Sequence, residues 1–262
     1  MESFAQTIFG SVIIIAISIL VAGLSLALLQ RLWPAAKRGA HNDVVGPSVG
    51  VIGTTYAVFI AFMLSGVWND FQSAQVNAEQ ESNCLVNVCR LADRLPADSG
   101  HQMQELTRRY ATAMIKEEWP AMERETSSEA GHALIKQMWK TLLSVQGQDA
   151  AQQNVIDHSF SELTDMTEHR RIRLLQSRKQ LPPILWAVLI VGGIVTVAST
   201  CLFGVQSFSL HLSQVFAIAF LVSLMLVAIA DIDRPFQGTV RVPPDGFHYA
   251  LDTMERWQSL NR

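Results

Sequence analysis

Charged side chains are scarce in this sequence, and four long stretches contain none. Asp, Glu, Lys and Arg make up 16% of the 262 residues, whereas apolar residues make up 49%. The uncharged stretches are residues 8–29, 45–68, 184–205 and 210–230. Each is close to the about 20 residues that cross the hydrocarbon core of a bilayer. Because a buried helix of a soluble protein usually keeps a polar stripe, these stretches exclude an ordinary soluble domain and predict four transmembrane helices.

Strong charge of either sign is also missing. The net charge is −3, without the basic field that nucleic-acid binding requires, so we expect no nucleic-acid partner. A cleaved secretory signal begins with basic residues, whereas Glu2 is the only charged side chain in residues 1–6. We therefore expect the first apolar stretch to remain in the protein as a membrane anchor.

Metal-binding and catalytic signatures are absent as well. Cys84, Cys89 and Cys201 have neither a zinc spacing nor an even number for disulfides, so we expect them to be packing residues. The sequence has no Gly-x-Ser-x-Gly elbow, phosphate-binding loop, His-Glu-x-x-His or dinucleotide fingerprint. A carboxylate-bridged dimetal site needs two Glu-x-x-His motifs, and we find one, Glu129 with His132. We therefore predict no enzyme, no metal site and no cofactor.

Polar residues are concentrated between the second and third apolar stretches. This segment has helical periodicity and little of the alternation that marks strands. The sequence therefore predicts an all-α membrane protein with four transmembrane helices and a helical cytosolic insert between the second and third. The predicted domains are residues 1–70 with transmembrane helices 1 and 2, the extramembrane insert 71–181, residues 182–231 with transmembrane helices 3 and 4, and a C-terminal tail 232–262.

Capping residues and prolines predict the ends of the helices in the insert. The first of these helices is expected to continue the second transmembrane helix into the polar segment. The predicted boundaries are a first helix over 71–95 stopped by Pro96, a second capped by Asp98 or Ser99 and broken at Trp119-Pro120, a third capped by Thr126 or Ser127 and ended by Gly147, and a fourth from Asp149 to Pro182.

Basic residues near transmembrane helices indicate which side faces the cytoplasm. The larger group precedes the third apolar stretch and consists of Arg170, Arg171, Arg173, Arg178 and Lys179. A smaller group, Arg31, Lys37 and Arg38, follows the first stretch and favours the opposite orientation. The larger group predicts a multi-pass membrane protein with the insert and both termini in the cytoplasm.

The second apolar stretch combines small, polar and aromatic residues. Gly46, Gly50 and Gly53 allow close helix packing in lipid. If several copies meet on this helix, its aromatic residues form a hydrophobic constriction of the kind that gates by dewetting. Packing surfaces and lipid-facing side chains are the alternative interpretation. The candidate pore-lining residues are Gly50, Thr54, Thr55, Val58, Phe59, Phe62, Ser65 and Asn69.

Carboxylates lie just outside the predicted membrane region. Glu79 and Glu81 follow the second stretch, and Asp231 and Asp233 follow the fourth. Carboxylates at the mouth of a pore concentrate cations. The alternative interpretation is pairing with nearby basic residues, for which the candidates are Arg90, Arg94 and Arg234.

Three stretches together resemble a known family. They are the glycine-rich second span ending in Val67-Trp68-Asn69-Asp70-Phe71, the helix from Glu79-Gln80-Glu81 to Leu95-Pro96, and Asp233-Arg234-Pro235-Phe236-Gln237-Gly238. The chain is similar over most of its length to the bestrophin-like membrane proteins, which are named for their likeness to bestrophins. Bestrophins are pentameric anion channels with four spans per subunit, a helical cytosolic domain and a pore lined by the second span.

The resemblance implies a homo-oligomeric ring in the lipid bilayer that conducts small ions, chloride above all. It also implies a neck at Val58, Phe59 and Phe62, and it makes Arg234, Pro235 and Phe236 motif residues. In calcium-gated bestrophins a Pro-Phe-Gly segment leads into acidic calcium ligands, whereas the residues after Gly238 are Thr239-Val240-Arg241-Val242. Calcium has too few oxygen ligands there, so we expect no metal at this position.

Two other functions fit the same layout. A subunit of a proton-driven motor or energising complex also has short outer loops and a large helical insert between spans. Such a subunit needs a partner with an intramembrane acid, because this chain has none in its four apolar stretches. A non-conducting membrane scaffold or sensor that acts through the insert is the second alternative.

Overall fold

The computed structural model describes residues 2–260, and side chains within residues 9–259. All regular secondary structure in this part of the chain is helical. The chain divides into two compact units. We call Met1–Asn69 with Gln180–Asp233 the membrane unit, and Asp70–Lys179 with Arg234–Arg262 the polar unit.

The membrane unit is built from apolar helices. The elements are α1 (Glu2–Leu32), α2 (Ala35–Arg38), a 3₁₀ turn (Gly39–His41), the first part of α3 (Asn42–Ala92), α8 (Pro183–Cys201) and α9 (Phe208–Ile232). Four segments are long and apolar enough to cross a bilayer, namely Phe9–Leu32, Ala35–Ala92, Pro183–Cys201 and Phe208–Ile232. The prediction of four transmembrane helices is therefore confirmed.

Small residues bring the helices of the membrane unit close together. The Tyr56 hydroxyl donates a hydrogen bond to the Leu189 carbonyl at 2.7 Å, which joins α3 to α8. A Cβ atom on Gly192 would lie 2.7 Å from the Tyr56 ring, so this approach requires glycine. The buried core here consists of Tyr56, Ile60, Val67, Leu189 and Ile229.

The polar unit contains the rest of α3 and a group of shorter helices. They are α4 (Ala97–Ala113), a π-helix (Met114–Glu118), α5 (Trp119–Met122), α6 (Glu129–Leu143), α7 (Ala150–Gln176) and α10 (Asp245–Leu260). The predicted continuation of the second span as a polar helix is confirmed, since α3 runs without interruption to Ala92. The sequence analysis did not predict α10.

Two of the predicted capping residues in the insert are wrong. Helix α4 begins directly after Pro96, whose extended backbone sets its start, and no side chain caps it. Helix α6 is capped by Ser128, whose hydroxyl accepts from Ala130 N at 3.1 Å, and not by Thr126 or Ser127. Helix α7 begins directly after Asp149, in agreement with the predicted start, and Asp149 caps it by accepting from Gln152 N at 2.7 Å.

Pro120 does not break the second helix of the insert. The chain passes from α4 through the π-helix into α5, where Pro120 lies in the first turn. Proline is tolerated at that position because a first-turn N–H has no partner within the helix. The helical path ends at Met122, and Glu125 follows with a positive φ of 58°. Helix α6 also ends earlier than predicted, at Leu143 instead of Gly147.

Candidate functional site

One face of α3 in the membrane unit is exposed along its length. Its residues are spaced by four and three positions, which places them in one line on a helix. Val51 is 68% exposed, Val58 50% and Phe62 68%. The complete line is Val51, Thr55, Val58, Phe62, Ser65 and Asn69, and all six are exposed.

The remaining predicted pore-lining residues lie beside this line. Gly50 and Thr54 are also exposed, whereas Phe59 is half-buried and packs against the core around Tyr56 and Ile60. The predicted set therefore lies together on one side of α3, except for Phe59, which lies at its boundary with the core. A Cβ atom on Gly50 would meet nothing within 4 Å.

Helix α8 has the opposite arrangement of polar side chains. Thr196, Ser199 and Thr200 are buried, and their hydroxyls donate to carbonyls of their own helix at 2.7–2.8 Å. The large exposed residues of α8 are apolar, namely Ile184, Val188, Ile190, Val191, Ile194 and Val195. Such a face suits lipid chains, whereas the exposed face of α3 carries Thr, Ser and Asn.

A buried arginine on α2 joins the ends of α1 and α8 in the membrane unit. Arg38 is fully buried, and it donates to the Cys201 carbonyl and to Oε1 of Gln30. Next to it, Asn42 is bonded to both the N–H and the carbonyl of Gly204, at 2.9 and 3.2 Å. In the sequence, Arg38 contributed only to the predicted orientation. Its burial could not be predicted because it depends on residues that are distant in the chain.

Asp233 has a structural role in the membrane unit. Its two carboxylate oxygens accept from the Leu181 N–H at 3.0 and 3.1 Å, which holds the segment before α8 at the end of α9. Asp231 is only partly exposed.

The polar unit contains a buried cluster of two acids and two arginines. Glu81 is completely buried, and it accepts from Arg173 Nε at 2.6 Å, Arg173 Nη2 at 2.9 Å and the Tyr110 hydroxyl at 2.7 Å. Glu118 accepts from Arg170 at 2.9 Å and lies 3.9 Å from Arg173. The formal charges of the four groups cancel.

The π-helix positions Glu118 in this cluster. A π-helix carries more residues per turn than an α-helix and is frequent at functional sites. Glu118 is its last residue and is completely buried. Its second oxygen accepts from Ser128 N at 3.2 Å, so the same carboxylate also orders the loop before α6.

Burial determines the protonation of this cluster. It raises the pKa of the Tyr110 hydroxyl well above its usual value, and the carboxylate of Glu81 raises it further. Burial by itself lowers the pKa of Arg173, but the charge and hydrogen bonds of Glu81 outweigh this and raise the pKa overall. The cluster therefore keeps a neutral tyrosine beside charged arginine.

The mouth and motif candidates have separate roles. Glu79 is exposed and accepts from Gln75 at 3.2 Å. The prediction that Glu81 stands at an open mouth, or pairs with Arg90, Arg94 or Arg234, is wrong, because Glu81 is enclosed by Arg173 and Tyr110 from distant helices. No feature of the local sequence around Glu81 indicated that partner.

The Asp-Arg-Pro-Phe-Gln-Gly motif after α9 packs inside the polar unit through its aromatic residue. Phe236 is buried with its ring 5.9 Å from that of Trp119, edge to face. The Pro235 carbonyl accepts from Val242 N at 2.7 Å, and Trp119 Nε1 donates to the Val242 carbonyl at 3.0 Å. Arg234 lies 3.8 Å from Glu125 in an exposed ion pair. The motif is thus a folded turn.

Metal ligands do not cluster in the part of the chain that the structure describes. Within it, no group of three or more His, Cys, Asp or Glu side chains is arranged to hold a metal ion. The three cysteines are free thiols, with Cys89 and Cys201 buried and Cys84 half-buried.

Comparison with known proteins identifies the fold. The family model of the Bestrophin-like domain matches residues 16–247. A bacterial bestrophin homologue from Klebsiella pneumoniae aligns with a TM-score of 0.64 at 13% identity, covering 94% of this chain and 98% of that one. A variant of a Klebsiella pneumoniae homologue aligns at 0.66 and 12% identity, covering 93% and 98%. A structure described as a membrane protein aligns at 0.64 and 12%, covering 92% and 97%. No curated protein matches the chain.

Proposed function

Because the chain belongs to the bestrophin-like family, we propose that several copies of it form an ion channel whose pore is lined by α3. The observation that carries this proposal is the exposed polar line on α3, from Thr55 through Ser65 to Asn69. A row of polar side chains on one face of a membrane helix usually faces a protein interior or a water-filled cavity, although single Ser and Thr residues can bond to their own helix. On α8, by contrast, the polar side chains turn inward and the exposed face is apolar.

The arrangement of copies follows from the same face. Repetition of one interface by rotation closes a ring around a central axis, and the exposed face of α3 then points toward that axis. By its family we assign a pentamer. The glycines at positions 50 and 53 have open space around them, which permits close approach of a neighbouring helix.

The neck of this pore is formed by Val58 and Phe62. Both are exposed and lie one turn apart, while Phe59 supports them from the core side. A hydrophobic constriction of this kind gates by dewetting. No Asp, Glu, Lys or Arg lies on the line from Val51 to Asn69, so the neck does not select ions by a ring of charge. Chloride is the proposed ion by analogy with the family.

We assign the protein to the bacterial inner membrane with both termini in the cytoplasm. The basic group from Arg170 to Lys179 is the basis for this orientation. A cysteine introduced at Ser99 should resist a membrane-impermeant thiol reagent in intact cells, in a background without the three native cysteines. Labelling at that position would reverse the orientation.

Flux from liposomes tests the proposed function. Chloride, potassium and proton release are compared for the wild type, Phe62→Ala and Phe220→Ala. Phe220 is 43% exposed on α9, which makes it a matched control away from the proposed pore. We expect chloride flux in the wild type and a higher flux in Phe62→Ala alone, because a smaller side chain widens and wets the neck. A folded oligomer with no flux of any ion would contradict the channel and favour the scaffold or motor subunit.

A further inference from the structure

The membrane unit buries one arginine without a neutralising acid. Arg38 is 0% exposed, whereas Lys37, beside it on α2, and Arg31, in the last turn of α1, are exposed. Its hydrogen-bond acceptors, the Cys201 carbonyl and the Gln30 amide oxygen, are both neutral. Among the described side chains, no Asp or Glu forms a salt bridge with Arg38, and its buried Nε has no hydrogen-bond partner.

The charge on Arg38 persists in this position. A guanidinium does not lose its proton in proteins, so burial cannot be relieved by neutralisation, as it can for lysine or histidine. A buried charge is also screened far less by salt than an exposed one. Arg38 therefore produces a lasting positive field, while the fields of Lys37 and Arg31 decay in the surrounding solution.

Arg38 lies four residues before α3, the proposed pore helix, and its partners lie at the ends of α1 and α8. Asn42, the first residue of α3, is fixed to Gly204 by two hydrogen bonds. At about 1.5 Å per residue along a helix, Val51 is about 14 Å further along α3. In a ring, every copy contributes one such charge at the same level of the pore.

We propose that Arg38 determines the preference of the pore for anions, through its field and without binding the ion. This inference rests on the proposed channel function. The line from Val51 to Asn69 supplies no charge of its own, so a fixed positive charge at the level of the first turn of α3 decides which sign of ion accumulates at that end of the pore. Focused fields in low-dielectric surroundings act on ions in this way.

The test adds the missing counter-charge without removing Arg38. Gln30→Glu keeps the acceptor oxygen that Arg38 already uses and turns the neutral bond into an ion pair. The ratio of chloride to potassium permeability is measured from reversal potentials across planar bilayers under a salt gradient. We expect the ratio to fall at least about fivefold, the effect of one charge at about 15 Å in an effective dielectric of about 20. Lys37→Gln, which removes an exposed charge one residue away, should leave the ratio unchanged.

A second pair of variants separates charge from loop structure. Arg38→Lys keeps the charge and should keep most of the anion preference, whereas Arg38→Gln should lose it. A purely structural arginine would make these two variants equally defective. If Gln30→Glu conducts with an unchanged ratio, the inference is wrong and the channel stands. If the wild type conducts no ion, both proposals fail. In the wild type, the preference for chloride over potassium should persist at 1 M salt. Loss of the preference at this salt concentration would indicate that exposed charges produce it instead of Arg38.

Discussion

The two units of this protein differ in whether a buried arginine is neutralised by an acid. In the polar unit, Arg173 and Arg170 are enclosed together with Glu81 and Glu118, and the charges cancel within hydrogen-bond distance. In the membrane unit, Arg38 is buried among neutral acceptors. A balanced cluster contributes to packing and has little field outside itself. The electrostatic field of an unbalanced charge extends to the neighbouring space.

The units also differ in what holds their helices together. Contacts of the membrane unit depend on small residues, such as Gly192 and Gly193 against Tyr56. Contacts of the polar unit depend on long side chains, since Arg173 also reaches the sulfur atoms of Met122 and Met114 at 3.2 Å and lies over the Trp119 ring. Removing a charged side chain should therefore lower the stability of the polar unit most. Enlarging a small side chain should lower the stability of the membrane unit.

The largest expected effect on stability comes from removing one acid of the buried cluster in the polar unit. Glu81→Ala leaves Arg173 buried without its main partner, which costs about 3–5 kcal/mol of the free energy of unfolding. Chemical denaturation in detergent, followed by circular dichroism, measures this cost. Glu168→Gln is the control, because its ion pair with Arg171 is exposed, and it should cause no measurable change. Equal effects of both variants would mean that the buried cluster is not a packing element.

A smaller effect is expected from adding bulk in the membrane unit. The new methyl group of Gly192→Ala meets the Tyr56 ring at 2.7 Å, and overpacking of this kind costs about 1–3 kcal/mol. Gly10→Ala on α1 is the matched control, since a Cβ there meets nothing within 4 Å and Gly10 lies outside the proposed pore helix. The midpoint of thermal unfolding should fall for Gly192→Ala and stay constant for Gly10→Ala. Equal falls for both variants would mean that the contact with Tyr56 is not the cause.

The smallest effect concerns the tyrosine of the cluster. Tyr110→Phe removes a hydrogen bond to a buried carboxylate, which costs about 1.5 kcal/mol at neutral pH. The folded-state pKa of Tyr110 is raised, so above the unfolded value of about 10 the unfolded chain loses its proton while the folded chain keeps it. The free energy of unfolding of the wild type therefore falls as the pH rises past about 10. Tyr110→Phe should lack this part of the alkaline loss, and parallel pH profiles would contradict the assignment.

The sequence predicted those features that depend on local pattern. Uncharged runs of sufficient length predicted the four spans, and helical spacing placed Thr55, Phe62 and Asn69 on one side of α3. The N-cap at Asp149 was also predictable, because an aspartate before a helical run has a direct physical role.

Features that depend on distant partners were not predictable in this way. Glu81 and Arg173 are 92 residues apart, and nothing near either residue identifies the other. Nothing in the local sequence distinguishes Tyr110 from other residues of α4, although its hydroxyl donates to Glu81 in the cluster. The burial of Arg38 likewise depends on Cys201, 163 residues away. Local periodicity also assumes α-helical geometry, so the π-helix at Met114–Glu118 was not foreseen.

That π-helix gives the polar unit a place where the length of the chain can change by one residue. Loss of a single codon within it, at the exposed Lys116 for instance, would keep the reading frame and favour a regular α-helix. An α-helix completes each turn with fewer residues than a π-helix, so the shortened segment would still turn Glu118 toward its two arginines. The same loss inside α4 would instead turn every later residue by about 100°, because an α-helix has 3.6 residues per turn. Loss of one residue should therefore be tolerated better at Lys116 than within α4.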